Sequence, residues 1–300
     1  MKKQIFAGLI AGAALFTLAA CSSNSSSGSS SSSSDSSLSG KIVAGGSTAL
    51  QPLAQQASTE FTAKNPKVTI SVQPGGSGVG LQQVSSGAFQ IGNSDIFAEE
   101  KTGIDASKIT DNKVAVVGFE AIANSSVKGV DNLTTQQLTD IFTGKVTNWK
   151  EVGGPDLKIT VIERTAGSGT RTNFDKLALG GAAEMTGAAT QDATGAVVTA
   201  VGQTPGSISY VAFSGMANNP SGVKGLKLNG VDPTDANVES NKYKVWSYEH
   251  MYTLSSADNK AEDAFIKYVA ADTTDLKKLG YIAVGDMKVD RDAKGNITNK

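Results

Sequence analysis

From Lys41 onward the apolar residues of this chain switch repeatedly between a period of two and a period near 3.6, and that switching constrains the fold more than any other feature. Residues 41–44 form a short apolar strand run. Leu50, Leu53, Ala54, Ala57 and Phe61 recur at helical spacing, and Pro52 stands near the start, where its missing N–H costs nothing. Val68, Ile70 and Val72 alternate as a half-buried strand does. The same reading predicts strands over 113–119, 158–163, 207–211 and 245–254, and helices over 134–142, 171–179, 194–201 and 257–271. Strands alternating with helices build α/β architecture with largely parallel sheets. No repeat of fixed period is present. At 300 residues the chain exceeds the usual size of one core, so two lobes are expected.

Composition removes several function classes. Hydrophobic residues make up 39% and charged residues 18%, a globular balance. Lys and Arg total 27 against 28 acids, without the basic excess of a nucleic-acid binder. An anion site here must therefore work through local dipoles and one or two charges. One cysteine, Cys21, forms no internal disulfide. One histidine, His250, leaves no His/Cys cluster for zinc, and no EF-hand loop is present. No metal and no cofactor are expected.

The N-terminus reads as an address. Lys2 and Lys3 precede an apolar run from residue 5 to 16, too short for a comfortable membrane span, and then Leu18-Ala19-Ala20-Cys21. That is the build of a secretory signal peptide, and its last four residues resemble the bacterial lipobox, in which the cysteine thiol takes a diacylglyceryl group and the chain is cut before it. Residues 1–20 are the expected leader. In residues 22–39, 14 of the 18 positions are serine, a composition that buries nothing and stays solvated. Residues 21–40 are expected to be a lipidated tether.

Four segments put Gly, Ser, Thr or Asp where a strand gives way to a helix or loop: Gly45-Gly46-Ser47-Thr48-Ala49, Gly75-Gly76-Ser77-Gly78, Asn93-Ser94-Asp95 and Arg164-Thr165-Ala166-Gly167-Ser168-Gly169-Thr170. The first turn of a helix has free N–H groups, and a Gly-rich approach aims them at an anion. Hydroxyls add neutral donors, and successive amides form nests. Any one segment reads equally well as ordinary helix capping. Four in one chain, one with an arginine and one with an aspartate, form a set. None fits a P-loop, because neither Gly-Lys pair is followed by Ser or Thr, and no Gly-x-Ser-x-Gly elbow occurs.

In this order the segments resemble those of the phosphate-binding proteins of ABC transporters, over about residues 41–284. The stretch Ile141 to Trp149 shares the likeness, and the Arg-x-x-Gly-Ser-Gly-Thr segment is its most diagnostic part. The resemblance implies an α/β, two-lobed periplasmic-binding-protein fold of type II, with two inter-lobe crossovers near 116–122 and 246–253. Lobe one would hold residues 41–118 and 251–300, and lobe two 119–250. For phosphate it implies amide and hydroxyl contacts from Thr48, an amide from Ala49 and a hydroxyl from Ser77. Asp95 would accept from the protonated oxygen, Arg164 would supply charge, and Ser168, Gly169 and Thr170 would supply donors at a helix N-terminus. Ala166 stands where some relatives have an aspartate that holds the arginine, so Arg164 needs another orienting partner.

The implied function is capture of inorganic phosphate outside the cytoplasmic membrane and delivery to an ABC permease with its ATPase, by a monomer anchored through Cys21. Sulfate is the rival ligand. The rival functions on the same fold are a phosphate-ester hydrolase and a surface sensor. An enzyme would need a nucleophile beside a base, and His250 is remote in sequence from every Ser-rich loop. His250, Trp149 and Trp246 are expected in structural roles, and Arg171 as a solvated first-turn residue.

Overall fold

Three short strands and two helices, alternating along the chain, stack into the first half of the molecule. In the computed structural model, which describes residues 38–271 and 273–300, strand β1 (Gly40–Gly46) leads to helix α1 (Gln51–Lys64), strand β2 (Val68–Pro74), helix α2 (Ser77–Ser85) and strand β3 (Ile91–Ser94). The expected leader, Cys21 and the serine tract as far as residue 37 lie outside the described residues. β1 pairs in parallel with β2 on one side and β3 on the other. α1 buries Leu53, Ala54, Ala57 and Phe61, the helical stripe seen in the sequence. α2 was hidden in the sequence by its glycines, which weaken a helix on propensity alone. It forms because Gly80 lets the helix lie directly on the strands: a Cβ there would collide with the Asn93 and Gly45 carbonyls.

Strand β4 (Ile109–Asn124) runs for 16 residues into the second half. There follow β5 (Asn132–Leu133), α3 (Thr135–Phe142), β6 (Thr160–Arg164), α4 (Gly169–Leu177), β7 (Ala189–Gln191), α5 (Thr194–Gln203), β8 (Ser207–Ala212), β9 (Val223–Leu228) and α6 (Asp235–Glu239). Strand β10 (Trp246–Leu254) returns the chain, and α7 (Lys260–Ala271), α8 (Thr273–Lys278) and the hairpin β11 (Val289–Arg291)–β12 (Ile297–Asn299) close it. The main path of the sheet is β2-β1-β3-β10-β4-β8-β6-β7. β4 pairs with β10 as far as Gly118, and from Phe119 onward with β8 and β9.

The sheet is mixed rather than largely parallel. β6 pairs in parallel with β7 and β8, as β1 does with its neighbours. β10 runs antiparallel to β3 and β4, and β4 antiparallel to β8 and β9. The reason is topological: β4 carries the chain from one half to the other and β10 carries it back, so two adjacent crossing strands must oppose each other. Trp149 and Trp246 are fully buried, and each indole N–H is satisfied, by the Gly206 carbonyl and the Asn241 side chain. His250 is also enclosed, with Nδ1 2.7 Å from Asp111 and its ring stacked on Tyr252. These are structural roles, as expected. Among the described residues no helix is long and apolar enough to cross a membrane.

Candidate functional site

The loops that leave β1, β3 and β6 converge on the N-termini of α2 and α4. Ser77, the first residue of α2, is wholly buried. Its hydroxyl donates to Asp95 Oδ1 at 3.0 Å and accepts the Asp95 N–H at 2.9 Å. Thr170, in the first turn of α4, donates its hydroxyl to Asp95 Oδ2 at 2.9 Å, and the Asn173 amide donates to the Asp95 carbonyl at 2.7 Å. One aspartate thus ties the N-termini of α2 and α4 together. Gly169 lies where these helix ends touch. A Cβ there would stand 3.0 Å from Asp95 Cγ and closer still to Ser77, so only glycine fits. The Gly78 N–H donates to the Gly167 carbonyl at 3.0 Å, adding a main-chain bond across the same seam.

Thr48 follows β1. Its hydroxyl accepts from Arg164 Nη2 at 3.1 Å and from the Thr194 N–H at 3.2 Å. Ala49 is buried beside it, and its N–H donates to Ser47 Oγ at 3.1 Å as part of the turn that opens α1. Ser168 caps α4, its hydroxyl accepting from the Arg171 N–H.

Arg164 closes β6 and is 1% exposed. Its Nε donates to the Gln191 carbonyl at 3.3 Å and its Nη2 to the Asp192 carbonyl at 3.0 Å. The orienting partner missing at Ala166 is therefore the main chain at the end of β7, which has no sequence signature. The Arg164 N–H donates to the Tyr210 hydroxyl, and its carbonyl accepts from Arg171 Nη1 at 2.6 Å. Nη1 of Arg164 is buried without a protein partner. Burial pulls the guanidinium pKa down while Asp95 pulls it up, and an arginine remains a cation under both.

The structure thus brings Thr48 against Arg164, and Ser77, Asp95, Gly169 and Thr170 against one another, with Ala49 and Ser168 adjoining. Sequence reasoning missed the carbonyls of Gln191 and Asp192, and Asn173, one turn beyond Gly169 on α4. It also misjudged Arg171. That residue is not a solvated first-turn residue but ion-pairs with Glu184 at 2.8 Å, Glu163 at 3.4 Å and Asp175 at 3.7 Å. Among the described residues no cluster of side chains suits a metal ion.

Residues 31–273 match the family model of the PBP superfamily domain. The chain is 43% identical to the phosphate-binding protein PstS of Bacillus subtilis, over 98% of this chain and 99% of that protein. It belongs to that family. PstS of Staphylococcus aureus is 28% identical over 94% of this chain and 89% of its own length. Among solved structures, one described as a phosphate ABC transporter substrate-binding protein of Clostridium perfringens, with phosphate bound, superposes with a TM-score of 0.74. It is 26% identical and covers 82% of this chain and 100% of its own. A phosphate transport receptor of Vibrio cholerae, 24% identical with a TM-score of 0.64, shares the fold. The α/β, two-lobed fold of the family is the fold of this chain.

Proposed function

We propose that the protein captures inorganic phosphate in the cleft between Asp95 and Arg164 and delivers it to an ABC permease. The observation that carries this reading is the junction of one carboxylate, four hydroxyl-bearing residues and one arginine at the N-terminus of α4. A protonated tetrahedral oxyanion needs all of these. The arginine and the helix end answer its charge. The hydroxyls of Thr48 and Ser168, which accept within the protein, can donate to its bare oxygens, and the carboxylate, held by Ser77 and Thr170, accepts from its O–H. The relatives named as phosphate-binding proteins support the ligand class.

In this reading Thr48, Ala49, Ser77 and Asp95 form the wall of lobe one, residues 41–118 with 251–300. Arg164, Ser168, Gly169 and Thr170 form the wall of lobe two, residues 119–250. A ligand held by both walls favours their approach by its differential affinity, and the closed form presents a new surface to the permease. The chain acts outside the cytoplasmic membrane, held by a lipid on Cys21. Cys21→Ser should release the protein from the membrane fraction or leave it unprocessed, and a processed, membrane-bound mutant would contradict the anchor.

Calorimetric titration with phosphate and sulfate tests the ligand. Phosphate keeps a proton at neutral pH and sulfate has none, so Asp95 meets sulfate lone pair against lone pair, and discrimination arises by repulsion. Wild type should prefer phosphate. Asp95→Asn, whose amide can donate to sulfate, should narrow the preference by about tenfold or more, on the scale of one hydrogen bond to a charged group. Equal binding of both anions by wild type would sink the phosphate reading.

A further inference from the structure

Glu249 sits in the middle of β10, wholly buried, and neither of its carboxyl oxygens has a hydrogen-bond partner. Its place is set by register. His250 pairs with Ser94 across β10 and β3, so the next pair of that antiparallel ladder, toward the cleft, would be Glu249 and Asp95. The Asp95 charge is felt at Glu249. Two residues before Asp95, and so on the same face of the strand, the Asn93 side chain is also buried with neither Oδ1 nor Nδ2 partnered. Tyr281, which feels the charges of Glu249 and Asp95, donates its hydroxyl to the Ala49 carbonyl.

The two acids are treated oppositely. Asp95 has a hydroxyl on each oxygen, from Ser77 and Thr170. Glu249 has nothing. An ionised carboxylate buried without a cation or donor is strongly disfavoured against its protonated form. A second carboxylate nearby disfavours it further, because two acids sharing a dry site do not both ionise readily. Burial first and Asp95 second hold the Glu249 carboxyl well above the usual carboxylate range. Tyr281, ahead of the turn at Val284–Asp286, feels the Glu249 charge, and on the packed helix α4 Asp175 pairs with Arg171 and Lys176 with Glu100. Residues 114–117 of β4 and the whole of α2 carry no ionisable side chain, and Arg171 of α4 is committed to Glu163 and Glu184. Filling space does not explain a carboxyl here, since an apolar side chain of that size would leave no orphaned oxygens.

We propose that Glu249 is a charge-setting residue of the phosphate site, an uncharged carboxyl behind Asp95 whose proton is a condition for capture. With that proton in place, an incoming anion meets one carboxylate and one arginine. Without it, the anion meets two carboxylates and one arginine, and binding weakens. This inference rests on the reading that the cleft takes phosphate.

The test is titration of the full-length protein with inorganic phosphate across a series from about pH 6 to about pH 10. One extra negative charge in a partly dry cleft weakens anion binding on the order of tenfold or more. Wild type should therefore lose about that much affinity on the alkaline side, whereas Glu249→Gln and Glu249→Met should both show a fall of under about threefold. Glu249→Asp, which restores an acid, should restore the fall. Either neutral variant, whichever folds, is enough to decide. A neutral variant that loses affinity in parallel with wild type overturns the proposal, as does a wild type with no alkaline fall. A wild type that binds no phosphate at any pH overturns the phosphate reading instead.

Discussion

Two arginines seven residues apart, on opposite sides of the β6–α4 junction, have nearly opposite surroundings. Arg164, on the cleft side, is held by two main-chain carbonyls and a threonine hydroxyl, all neutral. Arg171, on the far side, is surrounded by Glu163, Asp175 and Glu184. Neutral acceptors fix a guanidinium without spending its charge, so Arg164 keeps its positive charge with no carboxylate paired to it among the described residues. Carboxylates neutralise it, so Arg171 is a clamp, and its bond to the Arg164 carbonyl steadies that residue from behind. What leaves an arginine's charge unspent is thus the charge of its partners more than its own position.

Removing each arginine should break this contrast in a different observable. Arg164→Ala should have the largest effect: losing one partner of a buried charged contact costs ~2–5 kcal/mol, or roughly 30-fold to several thousand-fold in phosphate affinity. Calorimetry would read it, and binding within about threefold of wild type would put Arg164 outside the site. Arg171→Met should act on the fold instead. It leaves three buried or half-buried carboxyls without their cation, and because Arg171 is partly exposed the loss should be ~1–3 kcal/mol of stability, below the value for a fully buried pair. Urea unfolding would show it. A larger loss of phosphate affinity than in Arg164→Ala would reverse the roles assigned here.

The smallest effect concerns the acids around Arg171. Burial, and then the Asp175 charge, push the Glu184 carboxyl up to about 8 from 4.5. The folded protein therefore holds this proton after the unfolded chain has released it. Stability should fall as pH rises from about 4.5 through about 8 and level off above. After allowance for solvent screening, Glu184→Gln should remove on the order of 1 kcal/mol of that fall. Thermal melts of both proteins across this range would check it, and an unchanged slope would mean that the proton is held elsewhere in the cluster.

The sequence revealed those parts of the molecule whose cause is local. The stripe from Leu53 to Phe61 buries one face of α1, and the strict alternation at Val68, Ile70 and Val72 makes β2. The loops that meet at the ends of α2 and α4 were marked in the sequence by Gly, Ser and Thr clustered where strands give way to helices. α2 was not, because glycines that lower helix propensity are there to let it approach β3. β3 itself is four residues long with a glycine and an asparagine among them, too short to show a period. The direction of β10 follows from the path of the chain between the halves, which no window of residues contains. The partners of Arg164 are carbonyl oxygens, and every residue has one. Glu249 looked like one more polar residue in a strand, and only its enclosure gives it meaning.

The bond from the Gly78 N–H to the Gly167 carbonyl joins the start of α2 to the loop that leads into α4 through peptide atoms alone. Side-chain replacement cannot delete such a bond, since every residue but proline keeps the donor and every residue keeps the acceptor. It can be jammed, though: a Cβ on Gly76 would stand 3.0 Å from the Gly167 oxygen, and one on Gly78 would stand 3.3 Å from it. The seam should therefore resist changes of chemistry and yield to changes of bulk. Variation at these glycines would alter how closely the two segments meet, leaving untouched the polar side chains beside them.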